Sequence, residues 1–174
     1  MTLSDIETNM PIRAGILSDT HLHTSSEHFL ELATRCFADC DVIFHAGDLT
    51  DMAVLDAFAG KKIVAVHGNM CSLAVKTLLP TATTFTLAGH VIGLTHGAGL
   101  GYDIEAALWD LFPEADCVVY GHTHRPVVHR QGGRLIINPG SFQPTSRYGA
   151  PGTYVILEAG DRLRARLHEL PLSP

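Results

Sequence analysis

The chain has 174 residues, with 12 Lys+Arg against 18 Asp+Glu, and so carries a formal charge of −6 with its histidines neutral. A single domain with a real hydrophobic core is expected at this length, and 46% hydrophobic against 17% charged residues excludes disorder over most of the chain. The negative balance argues against a broad face for polyanions, but not against a small phosphate drawn in by metal ions.

Residues 1–11 read as a flexible N-terminal tail, polar and without an apolar signal region, and 12–174 as one domain. A unit then recurs along the chain, in which a short apolar run ends in small polar and metal-binding residue types. Ile12 to Leu17 leads into Ser18-Asp19-Thr20-His21, and Asp41 to His45 into Ala46-Gly47-Asp48. Lys62 to Val66 leads into His67-Gly68-Asn69, His90 to Leu94 into Thr95-His96-Gly97, and Asp116 to Tyr120 into Gly121-His122-Thr123-His124. Such runs, bounded by Gly and polar residues, predict buried strands.

Between them, Ser26 or Ser25 would cap a helix whose apolar positions are Phe29, Leu30, Ala33 and Phe37. Met52 to Phe58 predicts a shorter helix, and Tyr102 to Leu111 another that Pro113 stops. Hairpins are expected about Ala88-Gly89-His90, Gln131-Gly132-Gly133 and Gly160-Asp161. This succession predicts an α/β fold of two packed sheets with helices outside. Cys36, Cys40, Cys71 and Cys117 form no CxxC pair and read as free thiols of a reducing compartment, with Cys36 and Cys40 on one helix face at i, i+4 and buried at the helix end. No apolar run reaches the ~18–20 residues that span a bilayer; a cytoplasmic protein is expected.

All five polar clusters fall at the carboxyl ends of predicted strands, where ligand sites of open α/β sheets form. They would bring Asp19, His21, Asp48, Asn69, His96, His122 and His124 into one crevice. Two carboxylates, an amide and four imidazoles, with no thiolate, suit Mn, Fe, Co, Ni or Zn in a reactive site better than a structural zinc. Seven donors exceed one tetrahedral ion and fit two ions sharing a carboxylate, each keeping an open position. Each piece alone has a plainer reading: Asp19-Thr-His21 as an Asx turn, Gly68-Asn69 as a turn with Asn at positive φ, Gly47-Asp48 as a cap. It is their joint occurrence that points to a metal centre.

In that order, Asp19-Thr-His21, Gly47-Asp48, Gly68-Asn69, His96-Gly97 and Gly121-His122-Thr-His124 resemble the calcineurin-like metallophosphoesterase superfamily. Together with Asn138-Pro139-Gly140-Ser141, the layout is similar to its small bacterial and archaeal phosphodiesterase branch, over residues 12 to 169. The resemblance implies a four-layer αββα sandwich of two mixed β-sheets and two divalent metal ions, with Mn2+ the first expectation. One ion would take Asp19, His21, Asp48 and His124, the other Asp48, Asn69, His96 and His122, with Asp48 bridging. The nucleophile implied is a metal-bound hydroxide, and Asp48, Asn69 and His96 are the expected catalytic residues.

Two departures stand out. Where many members follow the Asn with His-Glu, this chain has Met70-Cys71, and Ala98 replaces the second histidine of a His-Gly-His. The proton donor for the leaving group therefore stays unassigned, with His67 and His23 as sequence neighbours. Arg147 is a candidate phosphate ligand, His45 and His90 read as structural, and Trp109 as core or interface. The expected reaction is hydrolysis of a small phosphodiester, without long nucleic acid or membrane as partner; a homodimer or higher homo-oligomer is an open expectation. A phosphomonoesterase, and a non-catalytic scaffold similar to the retromer subunit of this fold, are the alternatives.

Overall fold

The computed structural model describes residues 11–144 and 151–171, so Arg147 lies outside the described residues, as do the first ten positions. Ten strands run in chain order as β1 (Ile12–Leu17), β2 (Val42–His45), β3 (Lys62–Ala65), β4 (Ala82–Leu87), β5 (His90–Thr95), β6 (Cys117–Val119), β7 (Val127–Gln131), β8 (Arg134–Asn138), β9 (Thr153–Ala159) and β10 (Leu163–Glu169). They form two five-stranded sheets, ordered β10-β9-β1-β2-β3 and β4-β5-β6-β8-β7. Both are mixed. In the first, β1, β2 and β3 are parallel while β9 pairs antiparallel to β1 and to β10. In the second, β5, β6 and β8 are parallel and β4 and β7 run antiparallel on the edges.

Strand alternation sorts the apolar residues into three clusters, and these define the layers. Ile12, Ala14 and Ile16 of β1 point into the space between the sheets with Val42, Phe44, Ile92, Leu94, Val119 and Ile137. Leu17 and Ile43 point the other way, against Phe29, Ala33 and Phe37 of helix α1 (Glu27–Phe37) and Val54 and Phe58 of a 3-10 helix (Met52–Phe58). On the outer face of the second sheet, Val118, Tyr120 and Ile136 meet Leu108 of helix α3 (Ile104–Leu111). The expected αββα sandwich is therefore the observed one. Gly15 is needed where α1 crosses β1, since a Cβ there would come within 2.9 Å of the Phe37 ring.

Local signals account for most boundaries. Ser26, not Ser25, caps α1, its side chain accepting from Phe29 N–H at 3.2 Å. Ala88-Gly89 and Gly132-Gly133 both have two consecutive positive φ angles, the two-residue hairpin turn that suits twisted strands. Four readings change. Met52–Phe58 is a 3-10 helix rather than an α-helix. α3 begins at Ile104, capped by Asp103, and leaves Tyr102 outside and exposed. Helix α2 (Leu73–Leu78), capped by Ser72, was not expected, because it buries only Val75 and so has no apolar stripe to read. α1 stops at Phe37, so Cys40 lies beyond the helix that was to pair it with Cys36. No helix among the described residues is long and apolar enough to cross a membrane.

Candidate metal centre

The parallel strands β1, β2, β3, β5 and β6 hand their carboxyl ends to five loops, and the backbone stitches these loops together. Asp19 N–H donates to Gly47 O at 3.0 Å, His21 N–H to Asp48 O at 3.0 Å, and Gly121 N–H to His96 O at 3.1 Å. Asp19, His21, Asp48, His122 and His124 all have φ between 48° and 68°, a region that L-residues with side chains seldom adopt. Each such residue costs about 1–3 kcal/mol unless its surroundings hold it there. Five of the seven expected ligands are thus placed by strained turns.

The carboxylates of Asp19 and Asp48 are 0% and 2% exposed. Asp19 Oδ1 lies 3.1 Å from His124 Nε2 and 3.7 Å from His21 Nε2, while the two imidazole nitrogens are 3.3 Å apart. Asp19, His21 and His124 form one group of donor atoms, and Asp19, Asp48 and His96 a second; within each group all atoms lie within 4.8 Å of one another. Asp48 Oδ2 is 3.1 Å from His96 Nε2, and Asn69 Oδ1 is 3.2 Å from that same nitrogen. The His122 ring packs edge-on to His96 with centroids 5.2 Å apart, and it belongs to neither group of donor atoms. Asp19 belongs to both groups and Asp48 to one.

Supporting contacts orient these donors. His96 Nδ1 donates to Ala46 O at 2.8 Å, which orients Nε2 toward Asp48. Asp48 Oδ1 accepts from Met70 N–H at 2.7 Å. Burial alone would raise the Asp48 pKa, but the His96 hydrogen bond and charge and the Met70 N–H outweigh it, and the carboxyl titrates below its usual range. His96 is pushed down by burial and up more strongly by Asp48 and Asp19, so its net shift is upward. The hydrogen bond to Asp19 holds His124 above its usual range as well.

Two buried carboxylates at close range, each beside imidazole nitrogens and with Nδ1 of His96 committed elsewhere, are suited to divalent cations. Like charges so placed need a counter-charge. Among the described residues no Lys or Arg pairs with either carboxylate. The all-N/O donor set agrees with ions of the Mn-to-Zn series. The site residues fit the expected group.

Several contributors carry no signature in the sequence. The Ser18 hydroxyl donates to Asp19 Oδ2 at 2.5 Å, and His122 N–H donates to that oxygen at 3.1 Å. Asn138 Nδ2 donates to Gly121 O at 2.8 Å, and the Ser141 hydroxyl to Asp19 O at 3.0 Å, so the Asn138–Ser141 loop does lie beside the site. Buried Cys71 accepts from Gly68 N–H at 3.3 Å and fastens the turn that carries Asn69. His67 faces Thr81 Oγ1 at 3.3 Å. His90 donates to Gly160 O at 2.8 Å, a structural role. Half-exposed Trp109 receives the Arg134 guanidinium 4.0 Å above its ring.

Comparison with known proteins follows from this arrangement. The profile of the "Calcineurin-like phosphoesterase superfamily domain" matches residues 12–162. The chain belongs to the calcineurin-like phosphoesterase superfamily. Within it, the chain is 32% identical over 157 residues to Probable metallophosphoesterase MJ0623 of Methanocaldococcus jannaschii, a match covering 88% of this chain and 79% of that protein. It is 28% identical over 147 residues to Phosphodiesterase MJ0936 of the same organism, covering 74% and 83%. Its fold is also that of Vacuolar Protein Sorting 29 from Cryptosporidium parvum, with a TM-score of 0.75 at 20% identity and 94% and 93% of the two chains covered. A metal-dependent phosphoesterase family and candidate metal-binding residues thus coincide in this superfamily member.

His45, at the end of β2, supports the site from beneath. It is fully buried, its Nε2 lies 3.2 Å from the Thr20 hydroxyl between Asp19 and His21, and its Nδ1 has no partner. Burial drives its pKa down to about 4, so the folded protein keeps it neutral. Between about pH 6.5 and about pH 4 the unfolded chain binds a proton there that the native state does not, so stability falls as pH falls through this window. His45→Gln is expected to flatten that part of the curve, and urea denaturation of both proteins between pH 4 and pH 7 measures it.

Proposed function

We propose that this chain is a dinuclear metal-dependent phosphodiesterase that hydrolyses a small phosphodiester. The observation that carries the reading is two buried carboxylates in two overlapping groups of donor atoms that share Asp19. Asp19, His21, Asp48 and His124 would hold one ion and Asp48, Asn69, His96 and His122 the other; Mn2+ is the first choice, then Fe, Ni, Co or Zn. Asp48 is given the bridging place by the resemblance, and its Oδ2 faces His96 Nε2 at 3.1 Å. Two such ions supply Lewis acidity and a hydroxide at neutral pH.

The chain's own residues do the rest. Ser18 and the His122 amide fix the Asp19 carboxylate, Ala46 O fixes the His96 tautomer, and Met70 N–H holds Asp48, so the donors are set before substrate arrives. Asn69 and the imidazoles would help to stabilise the charge that builds on the phosphate. A relative named as a phosphodiesterase supports the diester over the monoester. Four free thiols support a reducing, cytoplasmic setting.

The test is the initial rate on an activated aryl phosphodiester and its monoester, after chelation and after Mn2+ is restored. Diester turnover that chelation removes and Mn2+ restores is expected. Faster monoester turnover would make the enzyme a phosphatase, and no turnover with any metal would favour a scaffold.

A further inference from the structure

A hollow of about 270 Å³ opens directly beside the metal centre, on the side of Asn69 and His96. Beyond those two residues its wall includes His67, Lys76, Thr81 and Ala98. It is smaller than the ~300–1,000 Å³ that encloses a whole drug-sized ligand, so it has room for one substituent of a substrate rather than for all of it. Its lining is mostly apolar, with Lys76 as the charged donor in its wall. Lys76 Nζ donates to Asn69 O at 2.8 Å and keeps further N–H donors for a guest. His67 adds a ring whose Nε2 faces the Thr81 hydroxyl. Thr95, by contrast, spends its hydroxyl on Thr81 O at 3.1 Å, and Gly97 and Ala98 leave the floor apolar and unobstructed.

Ala98 has a small side chain, which is part of what leaves the hollow open. Two other hollows lie about Asp161 and Arg162, lined by charges of both signs and sharing no residue with the metal centre.

We propose that the hollow between Asn69, Lys76 and Ala98 is the subsite for one ester substituent of the substrate, a compact group of sugar or nucleoside size that presents hydrogen-bond acceptors to Lys76. The inference rests on the phosphoesterase reading: the reacting phosphate lies over the metal centre and its substituent extends past Asn69. It restricts the substrate class to diesters with at least one small, acceptor-bearing substituent.

Calorimetry on the Mn2+-loaded protein tests this, with inorganic phosphate and thymidine 5′-monophosphate as the probes. The nucleotide is expected to bind at least about tenfold more tightly than phosphate, and Ala98→Leu, which fills the floor, to bring the two affinities to within about twofold. Thr81→Phe, at an exposed position on the rim where folding is not at risk, is expected to do the same. Equal affinities in the parent protein, no binding of either probe, or a preference that survives both substitutions would overturn the subsite. Failure of the phosphoesterase reading shows separately, as absence of metal-dependent diester turnover, whereas turnover combined with equal probe affinities would sink the subsite alone.

Discussion

Asp48→Asn is expected to lower diester turnover by more than about 100-fold and to leave the purified protein with less bound metal. Partners that only orient a metal ligand are worth about 10–100-fold, and a shared carboxylate ligand should exceed that range. The fold should survive. The substituted amide would keep an oxygen for Met70 N–H, the contact Asp48 now makes at 2.7 Å. The substitution removes a charge that His96 and the Met70 N–H favour in the fold, since the Asp48 carboxyl titrates below its usual range. The metal-free variant should therefore melt modestly lower than the metal-free parent while still unfolding cooperatively. Metal analysis, calorimetric melting and initial rates on the same preparations check the three statements together. A metal-replete, active variant would refute the assignment of Asp48.

Gly68→Ala is the second large effect, and it acts through space rather than charge. Gly68 has an ordinary backbone φ, so the substitution brings no backbone strain of its own. The new methyl would instead meet the Asp48 carboxylate, with Cγ at 2.7 Å and His96 Cδ2 at 2.6 Å. Both side chains are buried and tied by hydrogen bonds, so neither yields cheaply. Turnover is expected to fall about 10–100-fold, with a loss of stability of about 1–3 kcal/mol from overpacking. Gly60→Ala is the control. It takes a positive φ of 87° with nothing within 4 Å, so it should lose stability through strain and keep its activity. Equal activity of Gly68→Ala and Gly60→Ala would show that the turn carrying Asn69 does not brace Asp48.

Much of the architecture was legible in residue order because it is local. Apolar runs bounded by glycine announced β1, β2, β3, β5 and β6, and Gly-containing pairs announced the hairpins β4-β5 and β7-β8, since a tight turn needs residues that accept positive φ. The site candidates were legible for the same reason: each stands directly after a strand. Helix α2 escaped because its exposed Leu73 and Leu78 break any amphipathic pattern; the Met52–Phe58 helix was legible but its 3-10 type was not, because seven residues around Val54 and Phe58 satisfy either helical period.

Residue order by itself determined the family, the layer order and the identity of the metal-ligand candidates, because hydrophobic period and ligand type are properties of short segments. Tertiary structure alone decided how those ligands are held. The left-handed turns at Asp19, Asp48 and His124, the grip of Ser18 and Ser141 on Asp19, the buried His45 beneath Thr20 and the hollow beside Asn69 all depend on contacts between segments far apart in the chain. Such contacts stabilise conformations that local propensity disfavours, and no pattern within one segment records them.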